Sequence, residues 1–109
     1  MVDNIKNEVI KFRDERGWEK FHNPKDLSIS LSLEASELLE NFQWKSSDDS
    51  LKNINSIKDE LADVIIYSLL LSHELNLDVN EIVKTKLEKN KRKYPVEKVY
   101  GSNKKYTEL

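Results

Sequence analysis

The chain contains no cysteine in 109 residues. Disulfides, thiolate catalysis and cysteine-based zinc sites are therefore excluded. Glycine and proline are scarce, at two each, which argues for long helices and few tight turns. The strand signal is poor as well. No Asn-Gly or Asp-Gly hairpin turn occurs, and no sustained alternation of apolar and polar residues. Long apolar runs are also lacking. The longest stretch, around Val64 to Leu71, is interrupted by Tyr67 and Ser68 and is far shorter than the roughly 20 residues of a membrane span. The segment MVDNIKNEVIKF lacks the apolar centre of a signal peptide. A cytoplasmic location without a membrane partner is expected. Neither sign of charge dominates: the net charge is −2, so the molecule as a whole is not expected to attract nucleic acid.

What is present fits a soluble helical protein. Charged residues make up 35% of the chain and apolar ones 38%, within the range of a globular protein or a helical assembly. The length suits one domain spanning 1–109. A chain of this size buries about two-thirds of its unfolded surface, so a roomy substrate site forms more easily between subunits than inside one.

Four helices can be read. The first runs from about Asp3 to Arg16, with Ile5, Val9 and Phe12 at helical spacing and Gly17 as its stop. The second runs from about Asn23 to Trp44. Asn23 caps it, Pro24 suits the first turn, and Asp26 sits three residues after the cap. The third runs from about Ser50 to Leu75, and its apolar surface is broad enough for burial on more than one side. The fourth starts at Asp78, with Glu81 three residues on, and ends near Arg92 ahead of Pro95. Lys45 to Asp49 reads as a loop, and 96–109 as an irregular tail on a surface or a neighbouring subunit. The expected fold class is all-α, a four-helix bundle assembled by helix packing into an oligomer.

The sharpest chemical signal is a pair of acidic motifs. Glu34 and Glu37 lie three residues apart on the second helix, and Glu60 and Asp63 three apart on the third. That spacing puts each pair on one helix face, and both pairs are embedded in apolar runs. Two unit charges about 4 Å apart repel by roughly 4 kcal/mol at an effective dielectric near 20. Something must neutralise them. Hard oxygen ligands in this arrangement suit Mg²⁺ or Mn²⁺, whose remaining positions accept phosphate oxygens. A di-iron site is the rival in a helical bundle, but it needs two Glu-x-x-His motifs. Glu19 to His22 supplies one, and His73 has Leu70 three residues before it.

These motifs resemble those of the MazG-type all-α nucleoside triphosphate pyrophosphohydrolases. The strings from Arg16 to Pro24, Leu39 to Lys45, Asp63 to Tyr67, Asn90 to Pro95 and Gly101 to Leu109 are similar to the dCTP pyrophosphatase branch, so the likeness spans nearly the whole chain. The resemblance implies Mg²⁺-dependent cleavage between the α- and β-phosphates, with Glu34, Glu37, Glu60 and Asp63 as metal ligands and catalytic groups. It places Trp18 and Trp44 at the nucleobase, where indoles stack on a flat ring, with His22 nearby. Tyr67, one turn after Asp63, falls near the sugar or phosphate. Lys86, Asn90 and Lys93 form one helix stripe with Tyr94 beside it; the resemblance assigns Lys86 and Asn90 to the phosphates, and the stripe brings Lys93 and Tyr94 into the expected sugar and phosphate site with them. It further implies a homotetramer, a dimer of dimers whose sites share residues between subunits. One departure stands out: the branch carries a base-reading histidine in the first helix where this chain has Val9, which leaves the preferred base open.

Two competing readings remain. Another nucleotide, such as dUTP or phosphoribosyl-ATP, fits the same fold and metal chemistry. A non-enzymatic helical interaction module accounts for the apolar third helix but not for two acidic pairs set among core residues.

Overall fold

The computed structural model describes residues 2–109. Packing divides the chain into two compact units, Met1–Leu77 and Asp78–Leu109.

The first unit holds α1 (Val2–Glu15), α2 (Pro24–Glu40), the short α3 (Ser47–Ser50) and α4 (Ile54–Glu74), with 3₁₀ turns at Glu19–Phe21 and Leu51–Asn53. Helix α2 lies along α4, and α1 packs on α4 as well. Leu27, Leu69 and Leu70 form the buried apolar centre. Arg13 is buried on α1, and its guanidinium donates to Glu74 Oε1 on α4 at 2.6 Å. Lys6 Nζ donates to the carbonyl of Leu77 at 3.0 Å, which ties α1 to the chain just past the end of α4.

The helix starts follow their expected chemistry. Asn23 Oδ1 accepts from the Asp26 amide at 2.9 Å, satisfying one of the amides that a helix start leaves unpaired. Gly17 takes a left-handed φ of 64° just past α1, a conformation that costs glycine little.

Other boundaries differ from the sequence reading. Helix α2 was expected to reach Trp44, yet it ends at Glu40. Past that point the amides of Phe42 and Gln43 bond three residues back, to Leu39 and Glu40, so the helix tightens into 3₁₀-type turns. Trp44 then adopts a left-handed φ of 63° and turns the chain away. The stretch expected as a loop carries α3, capped by Ser46 Oγ accepting from the Asp49 amide at 3.1 Å. Ser50 is fully buried there, donating its hydroxyl to the Ser46 carbonyl at 2.9 Å. As a result α4 begins at Ile54 rather than Ser50.

The second unit holds α5 (Val79–Lys93), the short α6 (Val96–Val99) and a 3₁₀ turn at Tyr106–Glu108. Asp78 caps α5 by accepting from the Glu81 amide at 3.0 Å. The tail is more regular than expected. Tyr106 meets Tyr94 edge-on with ring centroids 6.0 Å apart, and Lys93 Nζ lies 4.8 Å from the Tyr106 ring.

Among the described residues the chain has no strand, so the fold is all-α with four long helices. No helix among them is long and apolar enough to cross a membrane.

Candidate metal centre and nucleotide site

The α2–α4 packing brings the two acidic motifs together. Glu34, Glu37 and Glu60 each offer a carboxylate oxygen, and these atoms lie within 4.8 Å of one another. Glu34 Oε2 and Glu60 Oε2 are buried and have no hydrogen-bond partner. Burial, hydrogen bonding to Glu37 and the like charges of Glu37, Asp63 and Glu60 push Glu34 up to about 7. Glu60 is raised as well, chiefly by burial, then by Glu37 and Asp63. Asp63 lies outside the close group of three, although its charge reaches both Glu34 and Glu60.

This arrangement fits a hard divalent cation. The donors are all oxygen, and the buried, unpartnered Oε2 atoms of the half-buried Glu34 and Glu60 demand either protons or a counter-charge. Glu34, Glu37 and Glu60 are the residues that would hold the ion, with Asp63 one helical turn away from Glu60.

Asp63 instead lines a neighbouring cavity of about 260 Å³, together with Val9, Phe12, Arg13, Trp18, His22, Ile66, Tyr67 and Leu70. Trp18 is held edge-on by Phe12, with centroids 5.7 Å apart and planes at 78°. It remains 44% exposed, which leaves indole surface open to a ligand. The structure therefore gathers four of the expected site residues, Trp18, His22, Asp63 and Tyr67, into one place. A second, polar cavity of about 540 Å³ opens on the other members of the acidic group. Glu37, Glu40, Asn41, Lys45, Asn53, Ser56 and Glu60 line it.

Trp44 does not join Trp18. It is 93% exposed. Within the second unit, Lys86 borders a shallow cavity with Glu81, Ile82, Thr85 and Lys89, while Lys93 and Tyr94 pack on Tyr106.

Sequence reasoning missed Arg13 and Glu74. The available signal was a charged residue one turn beyond Val9, on the apolar stripe of α1. Lys45, Asn41 and Asn53 were missed as well: Asn41 and Lys45 lie in the turn after α2 and Asn53 in the 3₁₀ turn before α4, and those turns carry them to the acidic group.

The fold and the site define an all-α protein with a carboxylate centre between two packed helices and an aromatic cavity beside it. Residues 29–109 match the MazG-like family, and the chain belongs to that family. It is 35% identical to dCTP pyrophosphatase 1 of Bos taurus over 114 residues, covering 99% of this chain and 68% of the relative. Identity to dCTP pyrophosphatase 1 of Mus musculus is 36%, covering 99% of this chain and 67% of the relative. A crystal structure of a pyrophosphatase from Archaeoglobus fulgidus superposes with a TM-score of 0.79 at 45% identity, covering 85% of this chain and 91% of that one.

Proposed function

We propose that this chain is a Mg²⁺-dependent nucleoside triphosphate pyrophosphohydrolase that cleaves dCTP or modified pyrimidine nucleotides to monophosphate and pyrophosphate. One observation carries this reading: buried, unpartnered carboxylate oxygens of Glu34 and Glu60 meet between two helices next to an aromatic cavity. The relatives named dCTP pyrophosphatase 1 supply the substrate class.

A divalent cation bound at this centre supplies charge neutralisation for phosphate oxygens and a water of lowered pKa. Glu34, Glu37, Glu60 and Asp63 are its ligands in this reading. A glutamate of the group accepts the proton of the attacking water. Trp18 stacks on the base, Tyr67 lies toward the sugar, and His22 contacts the base edge. Trp44, Lys86 and Asn90 enter on the family resemblance, Trp44 for the base and the other two for the phosphates, and Lys93 and Tyr94 enter through the helix stripe they share with Lys86 and Asn90. In this reading 1–109 is a single nucleotide pyrophosphohydrolase domain.

We also propose self-association, as a homotetramer. Ile5, Val9, Phe12, Ala62, Ile65 and Leu69 line an apolar cavity of about 430 Å³ along α1 and α4. Ile5, Phe12 and Ile65 are about half exposed in the single chain, and a second copy would cover them. The chain would act on the cytoplasmic nucleotide pool.

The test is a substrate panel. Each ribo- and deoxynucleoside triphosphate is incubated with purified protein and Mg²⁺, and the products are resolved by ion exchange. Monophosphate and pyrophosphate, fastest from a pyrimidine nucleotide, are expected. Folded protein that turns over no nucleotide would overturn the reading and return the interaction module to first place.

A further inference from the structure

Two cavities open on the acidic group, and they share no wall residue. Asp63 lines the aromatic one, while Glu37 and Glu60 line the polar one of about 540 Å³. A nucleotide held by its base in the first and by a cation at the carboxylates extends the rest of its phosphate chain toward the second. Lys45 is the one cationic side chain of that polar wall. Among the described residues its ammonium forms no ion pair. The turn that carries Lys45 is held in place from both sides. Asn41 Nδ2 donates to the Glu37 carbonyl at 3.4 Å, and Asn53 Nδ2 donates to the Asn41 carbonyl at 3.4 Å. The Lys45 amide donates to the Phe42 carbonyl at 3.3 Å. Just before it, Trp44 has a left-handed φ of 63°. A bulky residue rarely takes that conformation. It persists where the surroundings impose it, and such residues cluster at functional sites.

We propose that Lys45 binds the β- and γ-phosphates in the polar cavity and so makes the site select a triphosphate over shorter phosphate chains. The inference rests on the nucleotide reading above and gives it a chain-length determinant. A divalent cation at the centre offsets Glu37 and Glu60, which leaves Glu40 as the remaining acid of the wall. Phosphate oxygens entering the cavity then need a further positive charge, and Lys45 supplies it. An ammonium is a compact charge with three rotatable donors, so it serves oxygens of two phosphates at once. Such charge-assisted bonds are stronger than neutral ones. A monophosphate ends at the cation and makes no contact with Lys45. Pyrophosphate makes that contact without the nucleoside. Trp44 acts here through its backbone: the left-handed turn directs Lys45 into the cavity, which makes Trp44 a positioning residue for the phosphates independently of its indole.

The experiment measures calorimetric binding of magnesium pyrophosphate, of dCMP with Mg²⁺, and of Mg²⁺ alone. Binding is read whether or not the chain turns over nucleotide, so failure of the catalytic reading and failure of this inference are separable. Lys45→Met is expected to weaken pyrophosphate at least tenfold, roughly what loss of one charge-assisted hydrogen bond removes. Its affinity for dCMP should stay within twofold of wild type, and Mg²⁺ alone should bind no more weakly, because a like charge has been removed beside the carboxylates. Lys45→Arg keeps the charge and should retain pyrophosphate within about threefold of wild type, which separates lost charge from a damaged fold. Trp44→Gly keeps the left-handed turn at no steric cost and should hold pyrophosphate within twofold, whereas Trp44→Val resists that turn and should weaken it at least threefold. Wild type that binds no pyrophosphate, an unchanged affinity in Lys45→Met, or an equal loss for dCMP would overturn the inference. Equal affinities in the two Trp44 variants would overturn the positioning role of the turn.

Discussion

Glu34 on α2 and Glu60 on α4 bring carboxylate oxygens within 4.8 Å of each other, and each keeps its Oε2 buried without a partner. A fold selected for stability alone gains nothing from that juxtaposition. Removing one charge should relieve it. Glu34→Gln is expected to raise the melting temperature of metal-free protein by about 4 °C, the size of a ~1 kcal/mol change in a domain near 100 residues. The same change should abolish stabilisation by Mg²⁺. Thermal melts with and without the ion check both. A lower melting temperature in metal-free Glu34→Gln would show that the carboxylate is there for packing.

The acidic group also sets a pH dependence. Glu34 is raised from 4.5 to about 7, so the folded chain holds its proton more tightly than the unfolded chain. The stabilising contribution of that proton is fully present below about 4.5 and is lost as pH rises through about 7. Metal-free protein should therefore lose stability across that window. A cation competes with the proton and replaces it, so the Mg²⁺-induced rise in melting temperature should be larger at pH 8 than at pH 5.5. Melts at both values decide it, and equal shifts would contradict the assignment.

Trp44 separates function from folding. It is 93% exposed with a φ of 63°, so Trp44→Ala should leave the melting temperature within about 3 °C. Base–aromatic stacking is worth roughly 1–3 kcal/mol, so the same change should raise KM for the nucleotide about tenfold. Steady-state kinetics at saturating Mg²⁺ test this, and an unchanged KM would remove Trp44 from the site.

Leu27 makes the opposite case. It is 1% exposed on α2 and, among the described residues, is one of three buried apolar side chains. Leu27→Ala should cost about 2–5 kcal/mol, measured by urea unfolding, whereas a loss below about 1 kcal/mol would show that the core lies elsewhere.

Much of the fold was legible because its signals are local. Asn23 with Pro24, and Asp78 with Glu81, announce two helix starts. The three-residue spacing of each acidic pair places both on their faces. The end of α2 was hidden, because Phe42 continues the apolar spacing and no glycine marks the stop. The left-handed turn at Trp44 has no signature in a tryptophan. For this reason the sequence suggested two indoles at one base, while the structure gives Trp18 a cavity and leaves Trp44 in the open. Arg13 was hidden for another reason: its partner Glu74 is distant in sequence, and a lone arginine on an apolar stripe does not name the charge that will meet it.

The central claim is hydrolysis of a nucleoside triphosphate at the carboxylate centre. The direct measurement follows dCTP and Mg²⁺ by ³¹P NMR with wild type, Glu37→Ala and Asp63→Ala in parallel. The account predicts dCMP and pyrophosphate from wild type and a loss of at least a hundredfold in rate from both variants, with their folds intact. Release of inorganic phosphate and dCDP, or undiminished turnover in both variants, would contradict it.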